Sequence, residues 1–201
     1  LQVILHRTSD DSRGKQVIDL KHSSFIIKGG EVQFKFTEFS SLKFMGAEIF
    51  ASITSSDDLM ELFLATDAVR RQYGNIPIDV TMPYVPYARQ DRVCAPGEAF
   101  SIRVVADLIN SQGYNLVKVW DPHSDVTTAL INNCEVVKAY IFARKVLDSY
   151  PGPMDNLVLV SPDAGANKKI FEAANYLRIN EVIRADKTRD VQTGAVSGTE
   201  V

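Results

Sequence analysis

The 201-residue chain reads as an α/β protein built on parallel sheet, and three features of the sequence predict it. Apolar, β-branched runs at Ala47 to Thr54, Ile76 to Thr81 and Leu116 to Trp120 alternate with segments of helical period. That spacing belongs to strand–helix–strand units with right-handed crossovers in a doubly wound sheet. The last two of these runs, and a later one at Leu157 to Val160, each hand over to a polar cluster, and in an open parallel sheet ligands bind beyond the carboxyl ends of the strands.

Taken in order, Gln2 to Leu5 is a short first strand. The next twenty residues are polar and aperiodic and predict no element. His6 and His22 fall there; a lone histidine at a strand end or in a loop is ordinarily structural, and neither is assigned a role. From Ser24 the chain turns apolar, breaks at Gly29-Gly30 and alternates through Val32, Phe34 and Phe36, which predicts a hairpin or bend with one face buried. Ala47 to Thr54 is a strand. Ser55-Ser56-Asp57-Asp58 then provides capping oxygens and first-turn carboxylates for a helix running to about Tyr73, with Gly74 just past its end. Leu59, Leu62, Phe63 and Val69 make its buried face, while Glu61, Asp67, Arg70 and Arg71 point to water.

The strand Ile76 to Thr81 runs into Met82 to Glu98, the most distinctive stretch of the chain. Pro83, Pro86 and Pro96 fix backbone angles there and keep it from becoming a helix. Arg89 and Arg92 are planar, multi-donor cations suited to phosphate oxygens. Gln90 and Asp91 offer groups for a base or ribose, and Tyr84 and Tyr87 have rings that can stack. On residue types alone, a charged surface loop accounts for the same pattern.

The helix that follows is expected to bury Phe100, Val104, Val105, Leu108 and Ile109 and to end at Gly113. Leu116 to Trp120 is a central strand leading into Asp121-Pro122-His123-Ser124. There the histidine fits a metal ligand, a nucleotide contact or a loop residue bonded to its own backbone. Val136 to Tyr150 reads as strand then helix, Pro151-Gly152-Pro153 is the clearest break, and a second domain is expected to begin near Val137. Leu157 to Val160 is a buried strand ending in Ser161-Pro162-Asp163-Ala164-Gly165, followed by a helix through Leu177 with Lys168 and Lys169 on its surface. Asp163 suits a helix cap, or a carboxylate placed for Mg²⁺ or a ribose hydroxyl. Glu181 to Arg184 is a last strand, and the charged run to Asp190 with its Gly-, Ser- and Thr-rich tail is expected to be a flexible loop.

Composition narrows the function classes. Hydrophobic residues make up 45% of the chain and the formal net charge is −3, with pI near 5.6. That is ample for a packed core and lacks the basic field of a general nucleic-acid binder. Cys94 and Cys134 have no metal-ligand spacing and read as reduced thiols. No stretch has the length of a membrane span and the amino end has no signal pattern, so a cytoplasmic protein with neither nucleic-acid nor membrane partners is expected. The chain starts at Leu1 rather than Met and ends in a stretch that closes no element, which reads as incomplete.

Pro-Tyr-x-x-Tyr-Ala-Arg-Gln-Asp-Arg at residues 83–92 resembles the adenine-nucleotide signature of the ribose-phosphate pyrophosphokinases, and three further segments match in order. Asp121-Pro122-His123 resembles the family's Asp-Leu-His, with Pro122 in place of leucine and Ser124 in place of alanine. Ser161-Pro162-Asp163-x-Gly165 resembles its Ser-Pro-Asp-x-Gly, with Ala166 where a second glycine is expected. Asp186-Lys187-x-Arg189 resembles the start of its mobile catalytic loop. Ile27 to Glu31 is a weaker likeness to its Phe-x-Asp-Gly-Glu turn, keeping Gly30 and Glu31.

The resemblance implies two phosphoribosyltransferase-like parallel-sheet domains, residues 1–137 and an incomplete 138–201. It implies transfer of the β,γ-diphosphoryl group of Mg-ATP to the C1 hydroxyl of ribose 5-phosphate, giving phosphoribosyl pyrophosphate and AMP. ATP would be held by Arg89, Gln90, Asp91, Arg92, Glu31 and His123, and Mg²⁺ by His123, Asp163 and Asp121. Lys187, Arg189 and His123 would be catalytic, in a homo-oligomer whose subunits share the nucleotide site. The family's ribose 5-phosphate loop, an acidic pair before a Thr- and Gly-rich turn, is not found in residues 1–201. That keeps open a non-catalytic, regulatory or nucleotide-sensing relative.

Overall fold

The computed structural model describes residues 1–8, 15–153, 156–189 and 196–200. They fall into two compact units, Leu1–Val137 and Lys138–Val201.

The first unit is organised on a six-stranded mixed sheet of order β2-β1-β5-β6-β7-β8. Its strands are β1 (Gln2–Thr8), β2 (Lys15–Leu20), β5 (Gly46–Phe50), β6 (Ile78–Met82), β7 (Leu116–Trp120) and β8 (Cys134–Val137). β5 to β8 are parallel, and β1 runs antiparallel to both β2 and β5. Among the described residues of this unit, the parallel strands do not reverse order as a doubly wound sheet would. The parallel strands advance in chain order, because the edge of β5 where a reversed strand would pair is taken by β1. In register, Val3, Leu5, Ala47, Ile49, Ile78, Val80, Val117 and Val119 line one buried face. Glu48, Asp79 and Lys118 lie on the other face and are only half covered, which is the alternation of a sheet buried more deeply on one side.

Helix α1 (Ser56–Tyr73) begins with a reciprocal capping box. Ser55 Oγ accepts from the Asp58 amide at 3.1 Å, and Asp58 Oδ2 accepts from the amides of Thr54 and Ser55 at 2.7 and 2.9 Å. The helix ends at Gly74, whose φ is 77°. Leu59, Leu62, Ala65, Thr66 and Val69 are its buried face.

Across α1 lies the hairpin of β3 (His22–Ile26) and β4 (Val32–Phe36). His22 stacks on Phe34 with ring centroids 5.1 Å apart and its Nε2 lies 3.7 Å from Glu61 Oε1. Glu61, expected in water, has a side chain only 15% exposed, because the hairpin covers that side of the helix. β2 and the first residues of β3 occupy the stretch read as aperiodic, while Ser24 to Ile26 are the apolar start of the expected hairpin. The two strands are separated by Lys21 alone, and an edge strand tolerates the polar residues that masked β2.

Helix α2 (Ser101–Ser111) buries Ile102, Val105, Ala106 and Ile109. Val104 and Leu108, expected inside, are 57% and 46% exposed. Two apolar stripes run along this helix, and residues 104 and 108 lie roughly 200° round from Ile102 and Ala106 at ~100° per residue, so burying one stripe turns the other outward. α3 (Asp125–Leu130) is little more than one turn and carried no periodic signal.

In the second unit, α4 (Ala139–Leu147) packs on α5 (Asn167–Leu177). Tyr140 stacks on Tyr176 at 4.4 Å and Lys138 Nζ meets Glu172 Oε2 at 3.0 Å. α5 also covers the parallel pair β9 (Val158–Ser161) and β10 (Glu181–Arg184). Within the stretch expected as a flexible loop, Asp186–Arg189 (β11) and Val196–Glu200 (β12) form an antiparallel pair, and residues 190–195 of that stretch lie outside the described residues. Its Thr-Arg and Val-Ser-Gly-Thr segments satisfy each other's backbone groups, a pairing that local composition does not reveal.

Candidate functional site

The parallel strands deliver their loops to one edge of the sheet. After β6, the segment 83–100 is held by its apolar residues. Val85, Pro86 and Ala88 are buried while Tyr84, Tyr87, Arg89 and Gln90 are exposed, so the loop has its own anchored underside. The Gln90 amide donates to Tyr87 O at 2.9 Å, and Gln90 O accepts from the Ile102 amide at 3.4 Å, tying the loop to the start of α2. Tyr87 sits at φ 62°, a left-handed conformation unusual for an aromatic residue and of the kind that collects at functional sites.

Opposite this loop stands the β5–α1 connection. Together Ile53, Thr54, Ser55, Ser56, Tyr84, Pro86, Tyr87, Arg89 and Gln90 line an open cleft of about 480 Å³, and Ser56 Oγ lies 3.3 Å from Tyr87 Oη. Ser55 and Ser56, whose local pattern marks them as helix caps, also line this cleft, in keeping with their position after a strand end. The cap itself is internally satisfied, since Thr54 Oγ1 also donates to Asp58 Oδ2 at 2.7 Å. These hydrogen bonds, that of the Thr54 hydroxyl foremost, hold the Asp58 carboxyl below the ordinary aspartate range.

Asp91 and Arg92 continue the loop towards the end of β7. Asp91, with a side chain 10% exposed, accepts from Ser124 Oγ at 2.6 Å, and its other oxygen lies 3.7 Å from Arg92 Nε. The Ser124 hydrogen bond, with the charges of His123 and Arg92, lowers the Asp91 carboxyl below its usual range. The loop after β6 therefore meets the loop Asp121–Ser124, bringing Asp91, Arg92 and His123 into one neighbourhood. Asp121 has φ 41°, the second strained non-glycine residue at this edge.

Glu31 is exposed at the tip of the β3–β4 hairpin, where Gly30 takes φ 85° and the Ile27 amide donates to Glu31 O at 2.9 Å; the cleft does not include it. Asp163, in the second unit, caps the 3-10 turn Ala164–Ala166, its Oδ1 accepting from the Ala166 amide at 3.0 Å. Lys187 and Arg189 have their backbone in β11, while their side chains and Asp190 lie outside the described residues. Among the described residues, no group of three His, Cys, Asp or Glu side chains is arranged to hold a metal ion. Asp121 in the first unit and Asp163 in the second are each an oxygen donor of the kind Mg²⁺ takes beside a phosphate ligand. The donor chemistry thus fits a magnesium–nucleotide better than a metal caged by protein alone. No helix among the described residues is long and apolar enough to cross a membrane.

Residues 11–113, just over half the chain, match the sequence family described as the N-terminal domain of ribose phosphate pyrophosphokinase. The ribose-phosphate pyrophosphokinase of Mycoplasma pneumoniae is 34% identical over 182 residues, which is 89% of this chain and 53% of that protein. The one from Mycoplasma genitalium is 35% identical over 164 residues, 80% and 48%. The chain thus spans about half the length of the curated relatives it matches. A crystal structure of phosphoribosylpyrophosphate synthetase from Mycobacterium smegmatis superposes with a TM-score of 0.69 at 26% identity, over 85% of this chain and 57% of that one.

Proposed function

Because the chain belongs to the ribose-phosphate pyrophosphokinase family, we propose that it is the nucleotide-binding part of a ribose-phosphate diphosphokinase, acting on ATP and ribose 5-phosphate. The observation that carries this reading is the cleft at the ends of β5 and β6. It offers two exposed tyrosine rings and Pro86 beside Arg89 and Gln90, the pairing of flat apolar surface with a fixed cationic fork that suits a base and its phosphates.

In the proposed reaction the C1 hydroxyl oxygen of ribose 5-phosphate attacks the β-phosphorus of ATP. The bond from that phosphorus to the α,β-bridging oxygen breaks, AMP leaves, and the hydroxyl proton passes to solvent. Such a transfer needs reactants held in line and charge stabilised rather than a covalent nucleophile. Arg89, Gln90, Asp91 and Arg92 hold the nucleotide, with Glu31 contacting one bound by a neighbouring subunit in a homo-oligomer. His123 donates to phosphate oxygens, and Lys187 and Arg189 neutralise charge developing on the transferred group. Asp121, Asp163 and His123 are the residues that would hold Mg²⁺, whose chemistry when bound is to offset phosphate charge.

Residues 1–137 and 138–201 are read as a whole first domain and the beginning of a second. The exposed Val158, Val160 and Ile183 on the β9–β10 pair support the latter, since parallel strands are ordinarily buried on both faces. The free thiols Cys94 and Cys134 fit the cytoplasmic location proposed with it.

The test is AMP formation from ATP with Mg²⁺ and ribose 5-phosphate, using the longest native chain. AMP should appear only when ribose 5-phosphate is present. Arg89→Ala and His123→Ala should each lower kcat/KM for ATP by about 100-fold, the scale of losing one organised charge-stabilising donor. A chain that binds ATP and yields no AMP would refute the enzyme reading and leave a nucleotide-sensing or regulatory relative.

A further inference from the structure

Ser124 occupies the N-cap position of α3 with the extended backbone of a capping residue, φ −153° and ψ 170°, yet its side chain makes no capping hydrogen bond. A serine here would ordinarily bond the amides of its own helix. Instead the hydroxyl is given to Asp91 Oδ2 at 2.6 Å, across 33 residues of sequence, a short bond of the charge-assisted kind. Asp91 divides its two oxygens, one to Ser124 and the other facing Arg92 Nε at 3.7 Å.

We propose that Ser124 is a positioning residue, its hydroxyl clasping the loop after β6 to the loop after β7 so that Arg89, Gln90, Arg92 and His123 present one prearranged surface to the nucleotide. The use of the clasp rests on the nucleotide reading above; its existence does not. Preorganisation is the physical gain. Without the clasp, the Asp91 carboxylate loses the hydrogen bond that fixes its rotation, and Arg92, 78% exposed, faces a less firmly held neighbour, so more of the ordering falls on the binding step. An alanine at position 124 has no donor with which to make this bond.

The experiment compares wild type, Ser124→Ala and Ser124→Thr in the longest native chain, by three readouts: amide hydrogen exchange without nucleotide, ATP affinity by calorimetry, and KM for ribose 5-phosphate. In Ser124→Ala, exchange should quicken in residues 88–92 and 121–124 and not in α1. ATP should bind about tenfold more weakly, the scale of one lost hydrogen bond to a charged group, with KM for ribose 5-phosphate unchanged. Ser124→Thr, which keeps the hydroxyl, should restore both. Unchanged exchange in Ser124→Ala overturns the clasp, and equal ATP affinity in wild type and Ser124→Ala overturns its positioning role. A wild-type chain that binds no ATP sinks the nucleotide reading and the positioning role together, while exchange still decides whether the clasp exists.

Discussion

Tyr114 illustrates how much one buried polar group can decide. Its hydroxyl lies 2.8 Å from Thr66 Oγ1, which itself donates to Leu62 O at 2.8 Å, so the tyrosine must be the donor. Burial pushes its phenol up to about 12. A group whose pKa is raised in the folded state contributes fully below its unfolded value, near 10, and that contribution is lost as pH climbs through the folded value. Stability should therefore fall by roughly 2 to 3 kcal/mol between about pH 10 and 12 from this residue. Urea unfolding at both pH values should show a shallower alkaline loss in Tyr114→Phe. The same substitution should cost about 1 kcal/mol at neutral pH, for the lost hydrogen bond. Asp58 works in the opposite sense. Its depressed carboxyl stabilises the fold above the unfolded aspartate value and ceases to as pH falls through the folded one. Asp58→Ala should cost about 0.5 to 2 kcal/mol at pH 7, and the gap from wild type should narrow in acid.

At the scale of elements, α1 is punctuated at both ends by local chemistry. Gly74 holds φ 77°, and an added methyl group would meet no atom within 4 Å. Gly74, with ψ −165° as well, sits in a region open essentially to glycine alone, so Gly74→Ala should lower stability by roughly 1 to 3 kcal/mol through backbone strain alone, measurable as a shift in denaturant midpoint with unchanged slope. These end signals were legible in the sequence because a cap needs only its neighbours. The hairpin over α1 was legible in β4, whose alternation through Val32, Phe34 and Phe36 is strict, and in the apolar run from Ser24 before the Gly29-Gly30 break; the start of β3 and, in the neighbouring sheet, β2 were not. The partner of Glu61 was invisible too. Nothing around position 61 announces that His22 will stand 3.7 Å away. α2 failed for another reason: with apolar stripes on two sides, its local pattern permits either to face the core.

For the whole molecule, the core cluster of buried side chains runs from Val3 to Ile131 and lies entirely within residues 1–137. Residues 1–137 produced alone should unfold in one cooperative step by circular dichroism, with amide exchange protection in β5 to β7 matching that in the longer chain. A non-cooperative melt would mean that the first unit depends on the second for its stability.

The sequence alone determined the strand–helix alternation, the caps of α1, the hairpin turn and the polar clusters at strand ends, because each is set by residues within a few positions of one another. It also carried the family resemblance, since Arg89 to Arg92 is a contiguous motif. Tertiary structure alone decided that β1 would take the edge of β5 and stop the sheet from reversing. It also decided that Ser55 and Ser56 would wall a cleft with Tyr84 and Tyr87, and that Ser124 would spend its hydroxyl on Asp91 instead of its own helix. Each of those is a contact between distant segments, chosen by which surfaces packing brings together, and the local pattern of neither partner encodes the other.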